Sequence, residues 1–322
     1  MDGILEYIED AFSSLDNAWD SKSINRNGSI LPPEDIFLGD KNLLRNDINL
    51  QWLTWFCESI CFLHDDLSTK NLHDVHSLVR RGLRNIGINT DSSDGFSLSK
   101  IIALFVSKKL DIIYERKRET ATKDRKLELL ESAGRFPKCW ICNENFSDGA
   151  IELFLSSGRS GSIVLPSMID YMMPRGLIER DLKIEIEHKI PFSKGGGDLK
   201  DNDNIALSCG WCNRHKSNFI SLYDVGRSGK YYKHRTLGDV SIPEPYWIIR
   251  KMALYRECAD KLCTRGRKNK LFVDLVNPHG TANPFNIKIV CCDHVKDYQH
   301  RLVPAKSYKE FISKSKNSNI ML

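Results

Sequence analysis

Apolar residues recur at helical spacing through much of the first 110 residues. Ile4, Leu5, Ile8, Phe12 and Leu15 share one face, and similar spacing returns from Leu50 to Leu63 and from Leu98 to Leu110. Asn27-Gly28, Pro32-Pro33 and Asp91-Ser92-Ser93-Asp94-Gly95 break the pattern between these stretches. A charged helix over about residues 114 to 133 is predicted to stop at Gly134, because a glycine just past the last turn is the usual terminator. Further on, residues 245–260 read as helix, while Leu271-Phe272-Val273-Asp274-Leu275-Val276 and Phe285-Asn286-Ile287-Lys288-Ile289-Val290 have the short apolar character of strands. The expected fold class is α+β. It comprises a helical domain over 1–134, a central module over 135–222 with an insertion at about 149–182, and a small α/β lobe over 223–322.

The chemistry concentrates in the central module. Cys139-Trp-Ile-Cys142 and Cys209-Gly-Trp-Cys212 each have the spacing of a zinc knuckle, in which a short turn aims two thiolates at one ion. Together they would complete a tetrahedral structural Zn²⁺ site. Between the pairs stands Ile186-Glu187-His188-Lys189-Ile190-Pro191, and Asn213-Arg214-His215-Lys216 follows the second pair at once. A carboxylate beside a histidine supplies a hard oxygen ligand for a divalent cation and a base to activate water, and hydrolysis of a phosphodiester needs both.

The segment from Cys139 to about Asn218 resembles the HNH endonuclease family, through Glu187-His188, then Asp203-Asn204-Ile205-Ala206-Leu207-Ser208-Cys209, then Cys212-Asn213. The resemblance implies a zinc-stapled ββα-metal nuclease module, with the first motif residues on a strand, the second in the connecting loop and the third on the helix. It makes His188 the general base, Asn204 the asparagine that braces the loop, and Glu187 and Asn213 the ligands of a catalytic Mg²⁺ or another divalent cation. A histidine suits the role of base because its ordinary pKa of about 6.5 leaves much of it neutral near pH 7. The carboxylate before the histidine is a glutamate where the family more often has aspartate. The 44 residues between Cys142 and Glu187 also make that interval longer than usual, hence the insertion. Adjacent residues on a strand point to opposite faces, so Glu187 and His188 reach one phosphate only if the chain bends there. The resemblance implies a DNA endonuclease acting in restriction of foreign DNA or anti-phage defence. A homing or recombination nuclease, or a non-cleaving zinc-stabilised nucleic-acid-binding or interaction protein, is the alternative.

Charge divides the chain. Residues 1–100 carry 9 Lys and Arg against 16 Asp and Glu, a net of −7, so the remainder carries +12 of the total +5. The acidic part suits docking of a protein partner better than contact with phosphates, whereas basic patches attract nucleic acid without reading its sequence. Basic density peaks over 250–270, where eight Lys and Arg stand against Glu257 and Asp260. The expected partner is double-stranded DNA. The candidate contacts are Lys194, Arg214, Lys216, Lys233, Arg235, Arg265, Arg267 and Lys268, with a solvated charged surface as the alternative for Lys216 and for the basic patch. His215 lies two residues from Asn213, a spacing that does not share a helix face, and reads as a surface histidine or as a second catalytic or phosphate-contacting histidine.

No stretch approaches the roughly 20 apolar residues of a membrane span, and the acidic start lacks the basic segment of a signal peptide, so a cytoplasmic location and reduced thiols are expected. Cys57 and Cys61 read as core residues of an apolar helix, and His64-Asp65-Asp66, His73-Asp74 and His76 as a polar helix boundary. Leu165–Pro174, flanked by prolines, reads as a short helix, either a flap over the metal or a packing elaboration of the zinc module. In the C-terminal lobe, adjacent cysteines face opposite ways and the C-x4-C spacing is loose. Cys258, Cys263, Cys291 and Cys292 are therefore read as buried thiols, with a second zinc site as the alternative.

Overall fold

Helices come first along the chain: α1 (Asp2–Leu15), α2 (Lys41–Ile60), α3 (Leu72–Asn85), α4 (Ser93–Leu110) and α5 (Lys123–Ser132). The computed structural model describes residues 2–15, 20, 28, 30–33, 40–61, 71–110, 120–158, 160–191, 199, 201–226, 230–234, 238–264 and 269–313. The chain divides into two compact units, Met1–Leu50 and Gln51–Leu322. Within the second unit, Cys57, Ile60 and Cys61 pack with Val75, Val79 and Leu83 of α3 and Ile102, Ala103 and Val106 of α4. Gly82 permits this approach, since a Cβ there would lie 2.2 Å from the Ile60 carbonyl oxygen. Cys57 and Cys61 are thus buried core residues.

Polar side chains set the helix ends. Asn71 Oδ1 accepts from Asp74 N at the start of α3, so Asp74 lies in a capped first turn, and His76 Nε2 meets Ser99 Oγ at 2.8 Å. His64-Asp65-Asp66 lie outside the described residues. The helix expected over 114–133 begins later in its described part, at Lys123, because Thr122 Oγ1 accepts from Arg125 N and caps it there.

The rest mixes short helices with four two-stranded antiparallel sheets among the described residues, an α+β arrangement. After α6 (Asp148–Leu155) come β1 (Met168–Asp170), β2 (Ile184–His188), β3 (Ile205–Cys209) and α7 (Gly210–Lys216). The C-terminal part contains β4 (Lys230–His234), β5 (Gly238–Ile242), α8 (Pro245–Leu254), β6 (Leu271–Leu275), β7 (Ile287–Cys291), α9 (Tyr298–Arg301), β8 (Leu302–Pro304) and α10 (Tyr308–Ser313). The hairpins are β2–β3, β4–β5 and β6–β7, while β1 pairs with the distant β8. No helix among the described residues is long and apolar enough to cross a membrane.

Two elements depart from expectation. The segment Leu165–Pro174 is not a helix: Met168–Asp170 is a strand whose Ile169 pairs with Val303. A turn then follows in which Asp170 Oδ1 accepts from Met172 N, and Tyr171, Met172 and Met173 are buried. The helix expected over 245–260 ends at Leu254, after which the chain runs out to β7 and Ala259 N donates to Ile289 O at 2.7 Å.

β1 is anchored by a buried ion pair. Arg301, 4% exposed, donates from Nε to Asp170 Oδ1 at 3.1 Å and from Nη2 to Asp170 Oδ2, and its Nη1 donates to Val273 O at 2.7 Å. One guanidinium thereby ties β1, β6 and α9 together. Removing one partner of a buried pair leaves the other as an uncompensated charge, whereas replacing both with apolar groups is much milder. Asp170→Ala should lower unfolding stability by about 3 kcal/mol, and Asp170→Leu with Arg301→Met should recover most of it. Urea denaturation followed by fluorescence reads both, and equal losses in the two variants would refute the assignment.

Candidate active site and metal centre

The candidate site is built on β2, β3 and α7. In the hairpin, Ile184 pairs with Cys209 and His188 with Ile205, and α7 begins at the residue after Cys209. That corner requires glycine, because a Cβ on Gly210 would lie 1.9 Å from Arg180 O, and Gly210 N donates to Lys183 O at 2.9 Å. The first cysteine pair docks on the same hairpin. Its turn is closed by Asn143 N donating to Cys139 O, Asn143 takes the left-handed conformation at φ +57°, and Trp140 N donates to Leu207 O, each bond 3.0 Å long.

These contacts bring Cys139, Cys142, Cys209 and Cys212 together, all buried, with their sulfurs within 4.8 Å of one another. A tetrahedral zinc with Zn–S of about 2.3 Å needs sulfurs about 3.8 Å apart, so the group could hold zinc. The long excursion from Cys142 to Glu187 therefore does fold back. Hydrogen bonding among the sulfurs, led by Cys139, pushes the Cys142 thiol well up, and burial leads the same rise for Cys212. Burial also opposes ionisation of Cys209, but hydrogen bonds from the other three thiols and the charge of Arg175 hold it well below the usual thiol range. Arg175 Nε lies 3.3 Å from Cys209 Sγ.

On β2, residues 185 and 187 share one face by alternation, and α7 covers it. Lys216 Nζ donates to Glu187 Oε1 and to His188 O, both at 2.7 Å, and both side chains of this pair are more than 90% buried. Asn213 Nδ2 donates to Glu185 Oε2 at 2.5 Å, and Arg180 Nε donates to Glu185 Oε1 at 3.2 Å. Glu187 and Asn213, implied as joint ligands, thus lie on one side of the hairpin, each held by a different partner. His188 closes β2 half-buried, with its side chain on the opposite strand face from Glu187. Beyond it, Asn204 Oδ1 accepts from Ile190 N at 2.7 Å and Asn204 Nδ2 donates to Ile190 O at 3.3 Å, so its amide ties down the segment leaving the strand.

The candidate phosphate contacts fare unevenly. Lys216 is not a solvated lysine but the buried partner of Glu187, and Arg214 Nη2 stands 2.5 Å from Oδ1 of the fully buried Asp181 in an ion pair. His215 packs on Trp211 with ring centroids 5.0 Å apart. Within the basic stretch, Lys251 is buried, with Nζ on Pro284 O and Ile287 O, and Lys270 Nζ meets Glu144 Oε2 at 2.6 Å. Lys194, Arg235, Arg265, Arg267 and Lys268 lie outside the described residues, as does the side chain of Lys233.

Three residues went unnoticed in the sequence. Glu185 had a readable signal, since Ile184-Glu185-Ile186-Glu187 alternates and puts both carboxylates on one face. Asp181 and Arg175 had none, because their roles depend on how the insertion returns. Asp181 Oδ2 accepts from Gly176 N and Ile178 N at 3.3 Å, and Oδ1 meets Arg214.

Residues 177–219 match the family model described as HNH endonuclease, a span that contains β2, β3, α7 and every one of Glu187, His188, Asn204 and Asn213. No curated protein and no solved structure matches the chain. Proteins of this family are generally nucleases that use divalent metals and act on DNA. The match to the HNH endonuclease model over residues 177–219 points to a nuclease or nucleic-acid-related function.

Proposed function

We propose that the protein is a metal-dependent endonuclease that hydrolyses phosphodiester bonds in double-stranded DNA, in restriction of foreign DNA or anti-phage defence. The observation that carries this reading is the shared face of Glu185, Glu187 and Asn213 between hairpin and helix, inside the matched segment. The donor set fits a hard cation. Two carboxylates are present, and the Asn213 amide, with Nδ2 turned to Glu185, has Oδ1 as its other end. Glu187 and Asn213, with Glu185 beside them, would hold Mg²⁺, which would supply Lewis-acid stabilisation of charge on the scissile phosphate.

The chain's own groups do the rest. His188 takes the proton from the attacking water, and Asn204 fixes the segment beyond it so that the imidazole keeps one orientation. Because His188 and Glu187 leave opposite faces at the end of β2, the phosphate is read as lying across the strand end, where both faces are reachable. Lys216 balances the charge of Glu187 and, through His188 O, ties α7 to that end. The same Lys216–Glu187 contact favours a second reading, a non-cleaving nucleic-acid binder, because the carboxylate already has a cation beside it.

One experiment separates the two readings. Purified protein incubated with supercoiled plasmid and Mg²⁺ should cut it, EDTA should stop the reaction, and His188→Ala should slow it by about 100-fold or more, the usual contribution of a general base. Equal rates for wild type and His188→Ala would refute the assignment, and binding without Mg²⁺-dependent cutting would favour the non-cleaving reading. A second measurement concerns attraction to DNA: affinity should fall steeply as salt rises from about 50 to about 200 mM, and a flat response would exclude a phosphate grip by basic residues.

A further inference from the structure

Outside the HNH domain, a second group of ligands converges in the C-terminal lobe. At the end of β7 the chain turns at once, with His294 N and Val295 N both donating to Cys291 O, at 3.1 and 3.2 Å. This turn brings the Cys291 sulfur within 3.2 Å of His294 Nδ1. Facing it, the segment leaving α8 is held by Ala259 N on Ile289 O and folds back where Cys263 N donates to Asp260 O at 3.1 Å. Cys258 Sγ consequently lies 3.4 Å from His294 Nδ1, and Cys263 Sγ lies 3.7 Å from Cys291 Sγ. One ligand atom from each of the four residues falls within 4.8 Å of the others. Zinc bound tetrahedrally, at about 2.3 Å to sulfur and about 2.0 Å to nitrogen, requires edges of about 3.8 Å between sulfurs and about 3.5 Å from sulfur to nitrogen.

The surroundings also suit a metal. With Nδ1 turned to the sulfurs, the outer nitrogen of His294 faces Asp260, whose Oδ2 stands 3.9 Å from it. A disulfide between Cys263 and Cys291 would use two of these groups and leave Cys258 and His294 without a reason to converge. Cys292, next to Cys291 but exposed, is outside the cluster, as the opposed faces of adjacent strand residues require. The fourth ligand is a histidine three residues on, and the two half-sites read C-x4-C and C-x2-H.

We propose that Cys258, Cys263, Cys291 and His294 bind a second structural zinc ion, separate from the four-cysteine cluster. It would clip the chain leaving α8 to the end of β7, fixing the base of a segment in which Arg265, Arg267 and Lys268 follow Cys263 almost directly. The proposal does not depend on nuclease activity and survives its failure. Full-length protein prepared under reducing conditions should carry two zinc ions per chain by native mass spectrometry and elemental analysis. Cys258→Ser with His294→Ala should retain one, and His294→Cys should retain both. X-ray absorption at the zinc edge of the wild type gives a reading that does not depend on how the double variant folds. Seven sulfurs and one nitrogen over two ions average 3.5 sulfur and 0.5 nitrogen neighbours per zinc. One zinc per chain, an all-sulfur shell in the wild type, two zincs surviving in the double variant, or a Cys263–Cys291 disulfide found by non-reducing peptide mapping would each overturn the proposal.

Discussion

Everything about the candidate site depends on four thiols being gathered at one point. Cys209 is the last residue of β3 and the residue before α7, so whatever fixes its sulfur also fixes the corner between strand and helix. That corner sets how far Asn213 and Lys216 project over the face carrying Glu185 and Glu187. The partner pair, Cys139 and Cys142, enters from the far side of a 44-residue excursion. Closing such a loop is not expensive, since the entropic cost rises only with the logarithm of its length, provided both ends are pinned. The pins are visible: Trp140 N on Leu207 O at one end, and at the other Gly210 N on Lys183 O with Arg214 on Asp181. A divalent ion among the sulfurs would convert this set of contacts into a single joint, because it binds both ends and removes the mutual repulsion of the thiolates.

The polar face of the hairpin is a second consequence of that corner. Glu187 and Lys216 are both buried, and neither would tolerate burial without the other, because an isolated charge in a low-dielectric interior reverts to its neutral form or unfolds its surroundings. Their contact makes the carboxylate charge-balanced before any metal arrives. A cation at the site proposed for Glu187 would have to compete with this ammonium group instead of filling a naked anionic hole, which would temper its affinity.

How much of this was legible in the sequence follows from which signals are local. Helix periodicity, the strands of the C-terminal hairpin and the two knuckle spacings are local patterns, and each element is present close to where it was read. The segment Leu165–Pro174 was misread because its flanking prolines mark boundaries without saying what lies between them. Its strand exists only by pairing with β8, more than 130 residues away. The second cysteine group was discounted for a similar reason. Spacing along the chain relates only the cysteines to one another, while the residue that completes the group, His294, acquires its place only when β7 pairs with β6 and turns. Lys216 could be read from sequence as a phosphate contact or a solvated lysine, and its burial against Glu187 depends on the helix–hairpin packing that no local pattern reports.

The same reasoning alters what a basic stretch means for DNA. A sequence count treats each cation as available, but what a polyanion feels is the summed field, in which a cation paired with an internal carboxylate nearly cancels. Within the ββα unit Arg180 faces Glu185, Arg214 faces Asp181 and Lys216 faces Glu187. In the stretch 250–270, Lys270 meets Glu144, and Lys251 is buried under carbonyl oxygens where no phosphate can approach it. These cations hold the architecture together. Counterion release scales with phosphates contacted rather than with formal charge, so a count of Lys and Arg overstates the cations that could meet phosphates. The remaining cations that the sequence concentrates after Cys263, namely Arg265, Arg267 and Lys268, lie outside the described residues.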